Sequence, residues 1–319
     1  MLINCYYYAP HNHSLLADHL DWDLELMAKL GTDIVSVCVA ESHLRNWHGP
    51  RLQRVVNRIH AHGMKTHAVP NRWAGLVAGW MDGFGDFTAD HPETRIQDAQ
   101  GRIKPNCERP SCVNHPLVRA HFEQTLDQLL TKFDFDGLIW DEPHGSDPCF
   151  CQYCNSQRNT APAQSWYQSR FAAFLDQCSQ YAKCQRQNLV VSVFVQPDQD
   201  DLLRQLLQTQ HIDYIGSDGH IRSEEHLMHR MKVTIFDAYA KYYPQLRAAG
   251  KKTLFLLEAQ RHRDEDLDDY LVNLERAFAL PMDHLMYYFC AQEMLTPAKE
   301  KIFVEATWKA VSALKERGR

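Results

Sequence analysis

The chain has 319 residues, 45% of them hydrophobic and 23% charged, ordinary values that exclude a disordered or fibrous chain. A formal net charge of −6, with no cluster of Lys and Arg, excludes nucleic acid as a partner, because displacing counterions from a polyanion needs grouped cations. The N-terminus MLINCYYYAPHNH has neither a basic n-region nor an apolar h-region, and no apolar run reaches the roughly 18 residues that span a bilayer, so no membrane partner and a cytoplasmic location are expected.

Short β-branched and aromatic runs alternate with stretches of helical period, the pattern of βα units feeding a parallel sheet. The first strand is expected over Leu2–Tyr8, ending near Tyr7 and His11, and the second over Asp33–Val39, ending at Glu41 and His43. Helical period over Leu52–His62 stops at Gly63, a helix C-terminus before a short turn. The third strand, Lys65–Pro70, leads to Asn71 and Arg72. An insertion then runs from about Trp73 to Asn114 before the next helix starts near His115; it carries Trp73, Trp80, Phe84 and Phe87. Of these aromatic faces, Trp73 is the one expected to stack on a sugar ring.

The fourth strand is Gly137–Trp140, the fifth Leu189–Val195 with Gln196 after it, and the sixth Tyr214–Gly216 with Asp218 and His220 after it. A helix over Tyr239–Ala249 stops at Gly250, and the seventh strand follows at Thr253–Leu257. A helix over Asp264–Ala279 leads to the eighth strand, Leu285–Phe289, with Gln292 and Glu293 beyond it, and a last helix covers Ala298–Glu316. Eight such units, with no Gly-rich phosphate loop after any strand, predict an α/β fold of (β/α)8 TIM-barrel type. A single domain over 1–319 is expected, with the long 73–114 insertion after strand three on the C-terminal face, where the βα loops of such barrels build active sites.

The stretch FDGLIWDEPHGSDPCFCQYC, residues 135–154, ends an apolar strand in two adjacent carboxylates and continues into a cysteine cluster. Side chains alternate along a strand, so Asp141 and Glu142 diverge, one toward the barrel mouth and the other toward a neighbouring strand or loop. Ten cysteines are too sparse in a chain this long for a disulfide scaffold. Cys149, Cys151 and Cys154 have the spacing to share one tetrahedral metal ion, a structural Zn²⁺, and need a fourth ligand. Cys112, just before the helix that leads into the fourth strand, is the first choice, with Cys107 and His144 as the alternatives.

The strand-four Glu142 followed by this cysteine pattern resembles the family 42 β-galactosidases, members of a barrel clan of retaining glycosidases. The resemblance implies that Glu142 is the acid/base, that the nucleophile is a glutamate ending strand seven, that the substrate is a carbohydrate, and that the SCVNHP segment with Cys112 supplies the upstream zinc cysteine. Its specific part covers roughly Cys112 to Cys154. Asp141 stands where the clan has Asn. On the strand pattern alone, Glu258 after KKTLFLL closes the seventh strand and is the candidate partner of Glu142. Arg261 or Arg263 could instead hold it in a rim ion pair. The strand-end residues Tyr7, His11, Glu41, Asn71, Arg72, Gln196, Asp218, His220, Gln292 and Glu293, with Trp73, are the expected sugar contacts.

Three other readings fit parts of the chain. In an α-galactosidase or α-fucosidase type of barrel, Asp141 is the nucleophile. A metal-dependent amidohydrolase would use His11 and His13, but the fifth strand ends in Gln196 rather than a His. A sugar-binding barrel without a productive carboxylate pair is the third. Homo-oligomerisation is left open.

Overall fold

The computed structural model describes residues 1–7, 17–44, 49–78, 85–103, 109–144, 147–221, 233–258, 265, 267–289 and 297–317. Within them eight parallel strands close into a barrel in sequence order: β1 (Leu2–Tyr7), β2 (Ile34–Ala40), β3 (Lys65–Asn71), β4 (Gly137–Asp141), β5 (Val190–Val195), β6 (Tyr214–His220), β7 (Lys252–Glu258) and β8 (His284–Tyr288). The barrel is closed by β8, which pairs with β1 from Leu2↔His284 to Tyr6↔Tyr288. The expected strands are all present. The largest difference is β6, which runs on through the Ser-Asp-Gly-His of 217–220, a stretch too polar and too rich in glycine to read as a strand.

Helices cover the outside: α1 (Ala17–Leu30), α2 (Glu41–Leu44), α3 (Gly49–Ala61), α4 (Asp86–Asp90), α5 (Pro116–Lys132), α6 (Gln152–Arg158), α7 (Ala163–Gln185), α8 (Asp200–Leu206), α9 (Ile235–Ala248), α10 (Leu267–Phe278) and α11 (Pro297–Glu316). The turns that return α3 and α9 to the next strand use Gly63 (φ 78°) and Gly250 (φ 69°), left-handed positions that a side chain would strain.

Strand alternation sorts the side chains. Trp140 faces outward: its Nε1 donates to Ser179 Oγ on α7 at 3.0 Å, and its ring lies 6.1 Å from that of Phe122 on α5. Its neighbours Ile139 and Asp141 therefore face the barrel interior. At the start of β4, a Cβ on Gly137 would fall 2.5 Å from the His67 imidazole, so the absent side chain makes room for that ring. His67 in turn meets His284 edge to face at 6.3 Å.

The N-terminal rim carries a repeated device. The carboxylate of Asp33, ahead of β2, accepts from the Ile3 amide on β1 at 2.8 Å, and Asp136, ahead of β4, accepts from the Thr66 amide on β3 at 2.9 Å. Asp213, ahead of β6, does the same for Val191 of β5, and Asp283, ahead of β8, for Thr253 of β7, both at 2.8 Å. Each clasp pins the register of one strand pair with a charge-assisted bond.

The insertion is laid onto the C-terminal end of β4. Ala78 N–H donates to the Asp141 carbonyl at 2.8 Å and His144 N–H to the Leu76 carbonyl at 2.7 Å. Reaching that geometry costs backbone strain, with Arg72 at φ 57° and Ala74 at φ 48°.

Candidate active site

The two carboxylates of β4 have different environments. Asp141 is 5% exposed and points inward, where Tyr6 of β1 donates its hydroxyl to Oδ2 at 2.5 Å; Cys38 of β2 donates its thiol to the same Tyr6 oxygen at 3.3 Å. Burial, followed by the neighbouring Glu142 charge, pushes the Asp141 carboxyl up to about 7, against the opposing pull of the Tyr6 hydroxyl and the Arg72 cation. Glu142 is half-buried. Its N–H continues the β4–β5 ladder to the Phe194 carbonyl at 3.0 Å, and its own φ is +34°, a strained value for a non-glycine residue. That turn leaves the strand direction, and the carboxylate Oε2 accepts from Gln196 Nε2 at 3.1 Å.

The other expected site residues fall into three groups. Asn71, Asp218 and His220 are buried at the C-terminal ends of β3 and β6, and Asn71 Oδ1 has no hydrogen-bond partner among the described residues. Tyr7, Glu41 and Trp73 are engaged elsewhere. Tyr7 faces outward and donates to Asp23 of α1 at 2.6 Å. Glu41 accepts from the amides of Ala74 (2.9 Å) and Phe87 (2.8 Å) and meets His121 Nε2 at 2.8 Å, so it anchors the insertion. Trp73 is fully buried, its Nε1 donating to the Val39 carbonyl at 2.8 Å, which leaves no ring face for a sugar; Phe87 is stacked on His121. His11, His13, Trp80, Phe84, Cys107, Arg261, Arg263, Gln292 and Glu293 lie outside the described residues. Glu258 ends β7, its backbone in register with His220 of β6, and its side chain is likewise outside the description.

Sequence reasoning missed Tyr6. In LINCYY nearly every position is apolar or aromatic, so no alternation marks which tyrosine faces inward. The signal lies in the partner: Ser36 Oγ, on β2, donates to Asn4 Oδ1, which sets the inward parity of β1 and puts Tyr6 on the same side.

Beside this site, Cys112, Cys149, Cys151 and Cys154 converge, all buried, with their sulfurs within 4.8 Å of one another. Cys112 Sγ lies 3.3 Å from that of Cys154 and 3.6 Å from that of Cys151. A tetrahedral ion about 2.3 Å from each sulfur sets the sulfurs about 3.8 Å apart, so the arrangement fits a metal of that geometry. Two N–H groups aim at the cluster, Gln97 N at Cys149 Sγ (3.5 Å) and Asn114 Nδ2 at Cys154 Sγ (3.3 Å), the outer hydrogen bonds a thiolate ligand accepts. Cys112 ends the insertion and the other three follow β4, so the cluster ties the two segments that flank Asp141 and Glu142.

Solved glycoside hydrolases share this barrel. The β-galactosidase of the psychrophilic Marinomonas ef1 superposes with a TM-score of 0.68 at 10% identity, covering 99% of this chain and 59% of its own. The cold-adapted β-galactosidase of Rahnella sp. R3 gives 0.67 at 14%, covering 99% and 56%. The catalytic domain of the Paenibacillus polymyxa β-amylase gives 0.63 at 8%, covering 90% and 91%. The chain thus spans less than two thirds of the length of these β-galactosidases, and at such identities the likeness is one of fold. No protein-family model matches the sequence, and no curated protein does. No described helix is long and apolar enough to cross a membrane.

Proposed function

We propose that the chain is a retaining glycoside hydrolase in which Glu142 is the acid/base and Glu258 the nucleophile. The observation that carries this reading is the placement of Glu142: a strained residue directly after an inward-facing carboxylate at the end of β4, half-buried and oriented by Gln196. Backbone strain of this kind is held where function requires a side chain to leave the path of its strand. In the reaction, a Glu258 oxygen attacks the anomeric carbon while Glu142 gives its proton to the departing oxygen. Glu142 then takes a proton from water, the water oxygen attacks the same carbon, and the bond to Glu258 breaks.

Asp141 fits this scheme as a hydrogen-bonding group. A carboxyl held near 7 carries its proton for much of the time at neutral pH and can then donate as the clan's Asn does. The same inward placement would suit a nucleophile in an α-glycosidase type of barrel, but a nucleophile has to be ionised, and burial beside Glu142 works against that. Asn71, Arg72, Asp218 and His220 form the sugar-binding floor, and Zn²⁺ at the four cysteines holds the β4 loop and the insertion in place, a structural role because all four positions are protein ligands.

The test is a panel of aryl glycosides with wild type, Glu142→Ala and Glu258→Ala. Loss of activity in both variants, with azide restoring turnover in Glu258→Ala as a glycosyl azide of inverted configuration, supports the pair. Glu258→Ala activity equal to wild type removes the nucleophile assignment.

A further inference from the structure

Strand β5 runs out of Val195 into Gln-Pro-Asp-Gln, a sequence that makes a β-turn because Pro197 presets φ at the second position and Asp198 suits the third. The turn closes with the Gln199 N–H donating to the Gln196 carbonyl at 3.0 Å. From behind, the buried Tyr242 of α9 sets its hydroxyl 2.6 Å from the Pro197 carbonyl. The half-buried Gln199 side chain folds back and reaches two chain segments at once: Oε1 accepts from the Gln196 N–H at 3.2 Å, and Nε2 donates to the Pro143 carbonyl at 3.3 Å.

Both of those residues adjoin Glu142. Pro143 follows it in the chain, and Gln196 donates its side-chain amide to Glu142 Oε2. Glu142 has φ +34°, a strained conformation that persists only where the surroundings hold it. Backbone bonds do part of this: Glu142 N–H to the Phe194 carbonyl, Ala78 N–H to the Asp141 carbonyl and His144 N–H to the Leu76 carbonyl. Pro143 has no N–H, so its carbonyl is the only polar backbone group by which it can be held, and the donor that holds it is the Gln199 amide.

We infer that Gln199 is a positioning residue for the proton transfer: by tying Pro143, behind the acid, to Gln196, which orients it, Gln199 fixes where the Glu142 carboxyl stands. The inference rests on the acid/base reading of Glu142. General acid catalysis requires the carboxyl within hydrogen-bond reach of the departing oxygen, and a misplacement of about 1 Å costs up to about a hundredfold in rate. A group that departs as a stable anion has no need of the proton. The loss of Gln199 therefore falls on substrates with poor leaving groups, whereas general damage to the fold lowers activity on all substrates alike.

The experiment measures kcat/KM, which reports the steps through cleavage of the glycosidic bond, on phenyl and 2,4-dinitrophenyl β-galactosides, β-glucosides and β-mannosides, with the glycosyl group that the wild type turns over fastest. Dinitrophenolate leaves without a proton, and phenolate needs the acid. Glu142→Ala should raise the dinitrophenyl-to-phenyl ratio about a hundredfold or more, and Gln199→Leu about tenfold in the same direction. Gln199→Met, unbranched and close to glutamine in volume, removes the same bonds and reads the inference if Gln199→Leu does not fold. Asp198→Ala, at the exposed tip of the same turn, should keep the wild-type ratio. A wild-type ratio in the folded Gln199 variant, or an equal rise in Asp198→Ala, overturns the inference and leaves the hydrolase reading standing. An unchanged ratio in Glu142→Ala, or no turnover of any of these glycosides by the wild type, overturns the acid/base reading and this inference with it.

Discussion

The Tyr6 hydroxyl of β1 reaches across the barrel mouth to Asp141 Oδ2 at 2.5 Å, so the last residue of β4 is a carboxyl held by a phenol. This bond lowers the Asp141 pKa against the larger effect of burial. Tyr6→Phe should therefore raise the Asp141 titration by about one unit, the worth of one hydrogen bond to a charged group. Carboxyl titration by NMR or infrared spectroscopy, with Asp141→Asn as the blank, measures it; an unchanged or lowered titration contradicts the geometry.

Asp141 also sets a pH dependence of stability. Its folded pKa, about 7, is above the reference 3.8, so between these values the unfolded chain releases a proton that the folded one keeps. The resulting cost is absent below about pH 4 and grows as the pH rises toward 7. Asp141→Asn keeps an acceptor for Tyr6 and carries no charge, so it should stabilise the fold near pH 7 and have little effect at pH 4. Urea unfolding at the two pH values is the measurement.

His67 acts in the opposite direction. Burial pushes its imidazole down to about 4 from 6.5, so the unfolded chain binds the extra proton in that window and stability is lost as pH falls from 6.5 toward 4. At pH 5 the loss from this one residue is about 2 kcal/mol. His67→Leu should flatten the acid limb of the stability profile, and a limb as steep as wild type would rule His67 out as its source.

Gly137→Ala puts a Cβ 2.5 Å from the His67 ring, an overlap the rigid imidazole cannot relieve without moving. The expected cost is about 1–3 kcal/mol. The double variant with His67→Ala should recover most of the overlap term, so the two substitutions are non-additive in thermal or urea unfolding.

Cys151→Ser removes one of four converging thiols and should lower both bound zinc, measured by plasma emission, and the unfolding midpoint. Chelation of the wild type should reproduce the loss of stability and have no further effect on the variant. Full zinc occupancy in Cys151→Ser would remove Cys151 from the ligand set.

The barrel was legible because its strands are nearly continuous β-branched and aromatic runs separated by helical period, as in β2 (IVSVCVA) and β5 (VVSVFV). The convergence of Cys112 on Cys149, Cys151 and Cys154 was legible in part, because three ligands share one short segment and the fourth precedes the adjoining helix. Roles at the mouth were harder to read. Glu41 and Trp73 sit at positions that suit a sugar, yet both hold the insertion down: the amides that occupy Glu41 come from that segment, which has no regular period of its own, and Trp73 belongs to it, its indole fastened to the Val39 carbonyl of β2. Tyr6 was hidden by Tyr7 beside it, and choosing between them needs the partner strand.

The four aspartate clasps along the N-terminal rim have a consequence for how this barrel can change. Every second strand is fastened to its predecessor by one carboxylate at the end remote from the carboxylate pair. Strand alignment is therefore secured by four short local signals, and the loops at the opposite rim are released from that duty. Such a frame tolerates wholesale replacement of its upper loops.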